Sequence, residues 1–152
     1  MLSQTTEYAL RAVVYLASNR GMAQTTLEIA EATRVPAGYL SKVLQALGRA
    51  GFVTAQRGIG GGHVLARPPE EITVYDIVQG VEPIPRIRVC PLGIESHGSQ
   101  LCALHRRLDD AMATVEAAFR ASTIAELTGD GVPGRTLCEV ASPGARPVAL
   151  ID

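Results

Sequence analysis

The chain has 152 residues, 47% of them hydrophobic and 19% charged, which predicts one globular domain with a substantial core and excludes a disordered chain. Net charge is −1, yet residues 1–67 carry seven Lys/Arg against three Asp/Glu (+4), while residues 68–152 carry seven against twelve (−5). The first half therefore suits a polyanion and the second does not. Three cysteines make no paired disulfide framework and fit a reducing compartment. The N-terminus lacks a basic leader, and Glu7 and Arg11 interrupt its apolar run. Neither a signal peptide nor a membrane span is expected, and a cytoplasmic location is.

Residues 5–18 read as the first helix, with Ala9, Leu10, Val13, Val14, Leu16 and Ala17 on a wide apolar face, ended by Arg20-Gly21. Thr25-x-x-Glu28 is a capping-box pattern and predicts a second helix over Thr26–Thr33. Pro36 disfavours helix at the residue before it, so this helix ends near Thr33. Proline then suits the first turn of the next helix. There Leu40, Val43, Leu44 and Leu47 recur as a buried stripe. The opposite face collects Gly38, Ser41, Lys42, Gln45 and Arg49, small, polar and basic as a helix in the major groove requires. An ordinary amphipathic helix with a basic solvated face shows the same pattern. Gly51 ends the helix.

Residues 52–56 and 63–66 read as two strands around a tip containing Gly58, Gly60, Gly61 and Gly62. Such a tip lets backbone approach a phosphate, and Arg57 beside it supplies charge. A plain hairpin would look similar. A nucleotide-binding loop is excluded, because no Lys-Ser/Thr follows and the next element is a strand. Residues 34–67 contain Arg34, Lys42, Arg49, Arg57 and Arg67 and no acid. The fold class expected is mainly α with a small β-hairpin wing, a winged helix-turn-helix domain over residues 1–81. Its DNA-contacting set would be Tyr39, Ser41, Lys42, Gln45, Arg49, Arg57, Gly60, Gly61 and Gly62, facing duplex DNA.

Thr73-x-x-Asp76 starts a short helix after the Pro68-Pro69 break. Residues 82–100 hold Pro83, Pro85 and Pro91 with Gly93 and Gly98, which forbid a regular helix. A loop of about 19 residues is uncommon in a compact domain unless it has a task. It carries Cys90 and His97, and Cys102 and His105 follow. Residues 101–121 form the longest helical pattern, with Leu101, Leu104, Leu108, Met112, Val115 and Phe119 in one stripe near a heptad rhythm. Arg106, Arg107, Asp109, Asp110 and Arg120 cover its other faces. Such a stripe packs on its own domain or on a second chain. The winged domain already has a core, so a homodimer through residues 101–127 is expected, reading a near-palindromic site. Ser122 caps a short helix over residues 123–127. Residues 128–152 are Gly-, Pro- and Ala-rich, which predicts a flexible, dispensable tail in which Cys138 is an uninvolved thiol.

The segments TTEYALRAVVYLA, LEIAEATRVPAGYLSKVLQALGRAGFV and RGIGGGHVLARPPEEITVYDIVQGVE, with the cysteine loop before a long helix, resemble the IscR/NsrR/CymR family of bacterial dimeric winged-helix regulators. The resemblance covers residues 1 to about 127, and the GGG-x-x-L-A-R-P run is its most specific part. It implies transcription regulation. In many members an iron–sulfur cluster senses iron–sulfur, nitric oxide or redox status. Other members are cluster-free and sense metabolism through a partner protein. The resemblance places cluster ligands at Cys90 and Cys102, with Ser96 where similar members carry a middle cysteine. His97 or His105, and Glu7 from the other chain, would complete a mixed-ligand set, since histidine and carboxylate replace thiolate on iron. A switch of Cys90 and Cys102 by thiol oxidation, or a regulator that binds a metabolic enzyme, is the alternative. No HExxH pair, nucleophile elbow or phosphate loop is present, so no enzyme is expected.

Overall fold

The computed structural model describes residues 2–94 and 100–128. Ser96, His97, Cys138 and the expected tail from residue 129 lie outside them. The described residues form five α-helices, α1 (Gln4–Ser18), α2 (Thr26–Thr33), α3 (Ala37–Arg49), α4 (Val74–Val81) and α5 (Ala103–Ala121), and a hairpin of β1 (Val53–Gln56) and β2 (Gly62–Leu65). The mainly helical class with a two-stranded wing is as expected.

α1 is the centre. Ala9, Ala12 and Val13 are fully buried, and α2, α3 and α4 all pack on it. Small residues on its inner face allow that close approach. Ser3 caps α1 by accepting from the Thr6 N–H and donates to Glu82. α2 has both halves of its capping box, the Thr25 N–H donating to Glu28 at 2.7 Å and the Glu28 N–H to the Thr25 hydroxyl at 3.2 Å. That pairing also lowers the Glu28 pKa. The turn differs from expectation. Arg34 takes the left-handed conformation at φ 56°, and Pro36 stands one residue before α3 rather than inside its first turn. The α3 stripe of Leu40, Val43, Leu44 and Leu47 is buried as its spacing predicts.

β1 and β2 pair antiparallel from Val53↔Leu65 to Gln56↔Gly62, each strand starting one residue from the expected place. A contact outside the hairpin holds the wing. His63 N–H donates to Gln24 O at 2.7 Å and Gln24 N–H to His63 O at 3.0 Å, a single antiparallel bridge from the segment before α2 to β2. After a 3-10 turn, Pro69–Glu71, the Thr73/Asp76 capping box starts α4. Residues 82–94 then run as a strap without helix or strand.

α5 starts at Ala103, with Cys102 as its N-cap, and has no buried residue. Its stripe divides. Phe119 packs partly against the chain's own core, while Leu104, Leu108 and Val115 are 62%, 44% and 39% exposed. Arg120 is exposed and stacks 3.4 Å over the Tyr75 ring of α4. The expected final helix is a 3-10 turn, Ala125–Thr128. Before it, Ile124 is fully buried and its N–H donates to Ile72 O at 2.8 Å, returning the chain to the core. No helix among the described residues is long and apolar enough to cross a membrane.

Candidate nucleic-acid interface and metal centre

Burial of the apolar stripe turns the other side of α3 outward, so Tyr39, Ser41, Lys42, Gln45 and Arg49 are all exposed. Tyr39 is also tied down: its hydroxyl hydrogen-bonds the Thr5 hydroxyl at 2.6 Å and its ring meets Tyr8 edge-on at 5.5 Å. Arg57, Gly58, Ile59 and Gly60 project at the wing tip. The glycines there have different reasons. A Cβ on Gly61 would lie 2.5 Å from Gln56 O, and one on Gly62 2.5 Å from Gln24 O, whereas Gly60 has open space and needs glycine for its φ of +75°. Two of the three expected phosphate-facing glycines are thus required by packing, Gly61 within the hairpin and Gly62 against Gln24 outside it.

Between α3 and the wing lies a cleft of about 350 Å³ lined by Ser41, Gln45, Ala55, Thr26 and His63 among others. Thr26 and His63 escaped the sequence reading. His63 Nε2 is 3.2 Å from the Thr26 hydroxyl, and burial lowers the His63 pKa. Its placement comes from the Gln24 bridge, for which the sequence carries no local signal. Arg67 turns away, donating to Glu71 O at 3.1 Å.

The second cluster forms where the strap meets the start of α5. Cys90 is buried, and Cys102 and His105 are half-buried. His105 Nδ1 is 3.1 Å from Cys102 Sγ and 3.6 Å from Cys90 Sγ, and all three donor atoms lie within 4.8 Å of one another. The His105 backbone N–H and then its ring pull the Cys102 thiol down to about 7, against a smaller opposing effect of burial. Two sulfurs and an imidazole nitrogen at this spacing fit the ligands of a thiophilic metal, whose bonds to sulfur and nitrogen are about 2.0–2.3 Å long. They would supply three of the four ligands that a tetrahedral ion or a two-iron centre takes. Glu7 is not brought to this cluster within one chain; its carboxylate accepts from Arg11 Nε at 2.6 Å. Asp109, read in the sequence as surface, is largely covered and ion-paired to Arg86 of the strap at 2.7 Å.

Alkylation of Cys102 by iodoacetamide in metal-free protein, followed by peptide mass mapping, is expected to reach half its limiting rate near pH 7. The thiolate is present above that pH and lost below it. In His105→Ala, which removes the ring and keeps the backbone N–H, the midpoint should rise part of the way towards the ordinary thiol value of 9.0. An unchanged midpoint would show that the His105 ring does not act on the sulfur.

The Rrf2 family, described as iron-dependent transcriptional regulators, matches residues 2–130. A protein of Aquifex aeolicus (strain VF5) classed as an HTH-type transcriptional regulator is 30% identical over 130 residues, 84% of this chain and 90% of its own length. Among solved structures, the Bacillus subtilis global cysteine regulator CymR superposes with a TM-score of 0.72 at 24% identity, covering 87% of this chain and 98% of that one. IscR of T. potens gives 0.71 at 24% identity, over 86% and 87%. CymR of Staphylococcus aureus gives 0.66 at 26% identity, over 86% and 99%. These relatives are regulators rather than enzymes, and with most of its length matched the chain belongs to the Rrf2 family of transcriptional regulators.

Proposed function

We propose that the protein is a homodimeric, sequence-specific DNA-binding regulator whose occupancy of DNA answers to an iron–sulfur group or another thiophilic metal held at Cys90, Cys102 and His105. The observation that carries this reading is the convergence of those three donors, drawn from two segments, at the start of α5. Residues 1–81 would be the DNA-reading unit, 82–100 the sensor loop and 101–127 the dimerising part. Ser41, Lys42 and Gln45 would face base edges. Arg57 and the Gly60–Gly62 backbone would meet phosphate, with Arg49 and Tyr39 orienting α3. A two-fold dimer would set two α3 helices roughly 34–36 Å apart on a near-palindrome. Glu7 of the partner subunit, or His97, would be the further ligand, and taking Glu7 from Arg11 would link the centre to α1. A bound metal group would supply bonds that redox change or a competing ligand can break. A second reading is thiol oxidation, favoured by the lowered pKa of Cys102 beside Cys90.

The test is anaerobic reconstitution with iron and sulfide of wild type and of Cys90→Ser/Cys102→Ser, followed by a DNA shift assay across a salt series. Wild type should take up iron, the variant should not, and loaded and metal-free wild type should differ in DNA affinity. Arg57→Ala should lower the salt slope by about 0.9 for its lost phosphate contact. Equal metal content in both proteins would remove the metal reading and leave thiol oxidation. A salt slope unchanged in Arg57→Ala would remove the wing from the interface.

A further inference from the structure

Arg86 lies in the strap that leads from α4 towards Cys90. Its Nε and Nη2 each donate to one oxygen of Asp109, both at 2.7 Å, and its Nη1 donates to Glu116 Oε2 at 2.8 Å. The Ile87 N–H adds a bond to Asp109 Oδ1 at 2.9 Å. The three side chains are only 21%, 15% and 14% exposed. This is the planar fork that arginine makes with a carboxylate and lysine does not. The Arg86 guanidinium holds the Asp109 carboxyl down to about 2.

The clasp has a register. It joins residue 86 to residue 109, and Cys90 faces His105 at 3.6 Å. The second crossing is four residues further along the strap and four residues back along α5, so the strap runs antiparallel to the helix. Cys102 and His105 need no help to meet, being three apart at one helix end. Cys90 does need help, because it arrives from another segment. Pro83 and Pro85 stiffen the strap but fix only backbone angles, not its position along α5. A covered ion pair is a poor source of stability compared with apolar packing, yet it specifies one alignment.

We propose that Arg86, acting through Asp109 and Glu116, is the positioning residue of the Cys90–Cys102–His105 centre, setting the strap on α5 so that Cys90 Sγ meets the other two donors. This rests on the reading that those three residues act together. Arg86 is not itself one of the donors, so its removal leaves every ligand in the chain.

The test uses the full chain with Cys138→Ser, which leaves two thiols, and reads two quantities. The first is the fraction of Cys90–Cys102 disulfide at equilibrium in a glutathione redox buffer. One thiolate attacks glutathione disulfide and releases a glutathione thiolate, and the second then attacks the mixed disulfide and releases another. Two protein thiols are oxidised as one glutathione disulfide is reduced, so the equilibrium constant measures how concentrated each thiol is at the other. The second quantity is Co(II) affinity, read from the thiolate-to-cobalt absorption. Arg86→Gln and Asp109→Asn should weaken Co(II) binding about 10–100-fold and lower the disulfide constant about tenfold, with helix content unchanged. Arg86→Lys should recover part of both, since it keeps the charge without the fork. Arg20→Gln, which cuts the exposed Arg20–Glu70 pair, should leave both at the parent value. If Arg86→Gln does not fold, Glu116→Gln removes one of the clasp's bonds and is read the same way. Folded clasp variants with the parent's disulfide constant and Co(II) affinity would overturn the proposal. If Cys90→Ser/Cys102→Ser binds Co(II) like the parent while Arg86→Gln still lowers the disulfide constant, the clasp stands and the metal reading falls.

Discussion

Leu108→Glu combined with Val115→Glu is expected to convert the protein to folded monomers and to weaken DNA binding about hundredfold or more, the gain that two linked sites lose when separated. Both side chains are outward in the single chain, 44% and 39% exposed, and no residue of α5 is buried. With Leu104 they lie seven and four residues apart along one face, the spacing of an intermolecular seam. Covering the part of each such side chain still exposed contributes roughly 1 kcal/mol, under half the value of full burial, and a two-fold axis doubles every contact. A carboxylate on the seam loses that contribution and resists desolvation as well. The chain's own core should be untouched, because Phe119 and Ile124 anchor the far end of α5 independently. Light scattering and fluorescence anisotropy on a labelled duplex would measure the two effects. A dimer that survives both substitutions would place the interface elsewhere.

Gly62→Val is expected to destabilise the fold by about 2–4 kcal/mol, combining overpacking with loss of two backbone hydrogen bonds. Gly62 has φ +154°, and a Cβ there would sit 2.5 Å from Gln24 O and 2.6 Å from Gln24 C. Those are backbone atoms and cannot rotate aside. The collision falls on the Gln24–His63 pairing, whose bonds of 2.7 and 3.0 Å hold the wing beside α2. The wing should therefore swing out and DNA affinity should fall even where the protein remains folded. Gly60→Ala is the comparison. Its Cβ meets nothing within 4 Å, so only the strain of φ +75° remains, worth about 1 kcal/mol. Denaturant midpoints for the two variants would separate collision from strain. Equal losses would show that the Gln24 contact does not govern the wing.

Much of the fold was legible because its signals are short. The Thr25/Glu28 capping box placed α2 at its observed bounds, and Thr73/Asp76 did the same for the start of α4. The Leu40, Val43, Leu44, Leu47 stripe located the buried face of α3, and hence the outward one. Cys102 and His105 were readable as a pair because three residues along a helix return to one side. Each of these is written within a turn or two of chain.

Other features depend on where the chain comes back. The Gln24–His63 bridge spans two segments of unremarkable composition, and it decides that Gly62 must be glycine and that His63 lines the cleft. Ile124 reads as one apolar residue after a helix but closes the core against Ile72. Phe119 shares its periodicity with Leu108, and only packing shows that one turns inward while the other stays exposed. Asp109 looks like a solvated charge until Arg86 arrives from 23 residues away to cover it. A residue's type and the helical period limit which faces it can occupy. Which face finds a partner is decided by long-range return of the chain, and that return is what sets Cys90 beside His105.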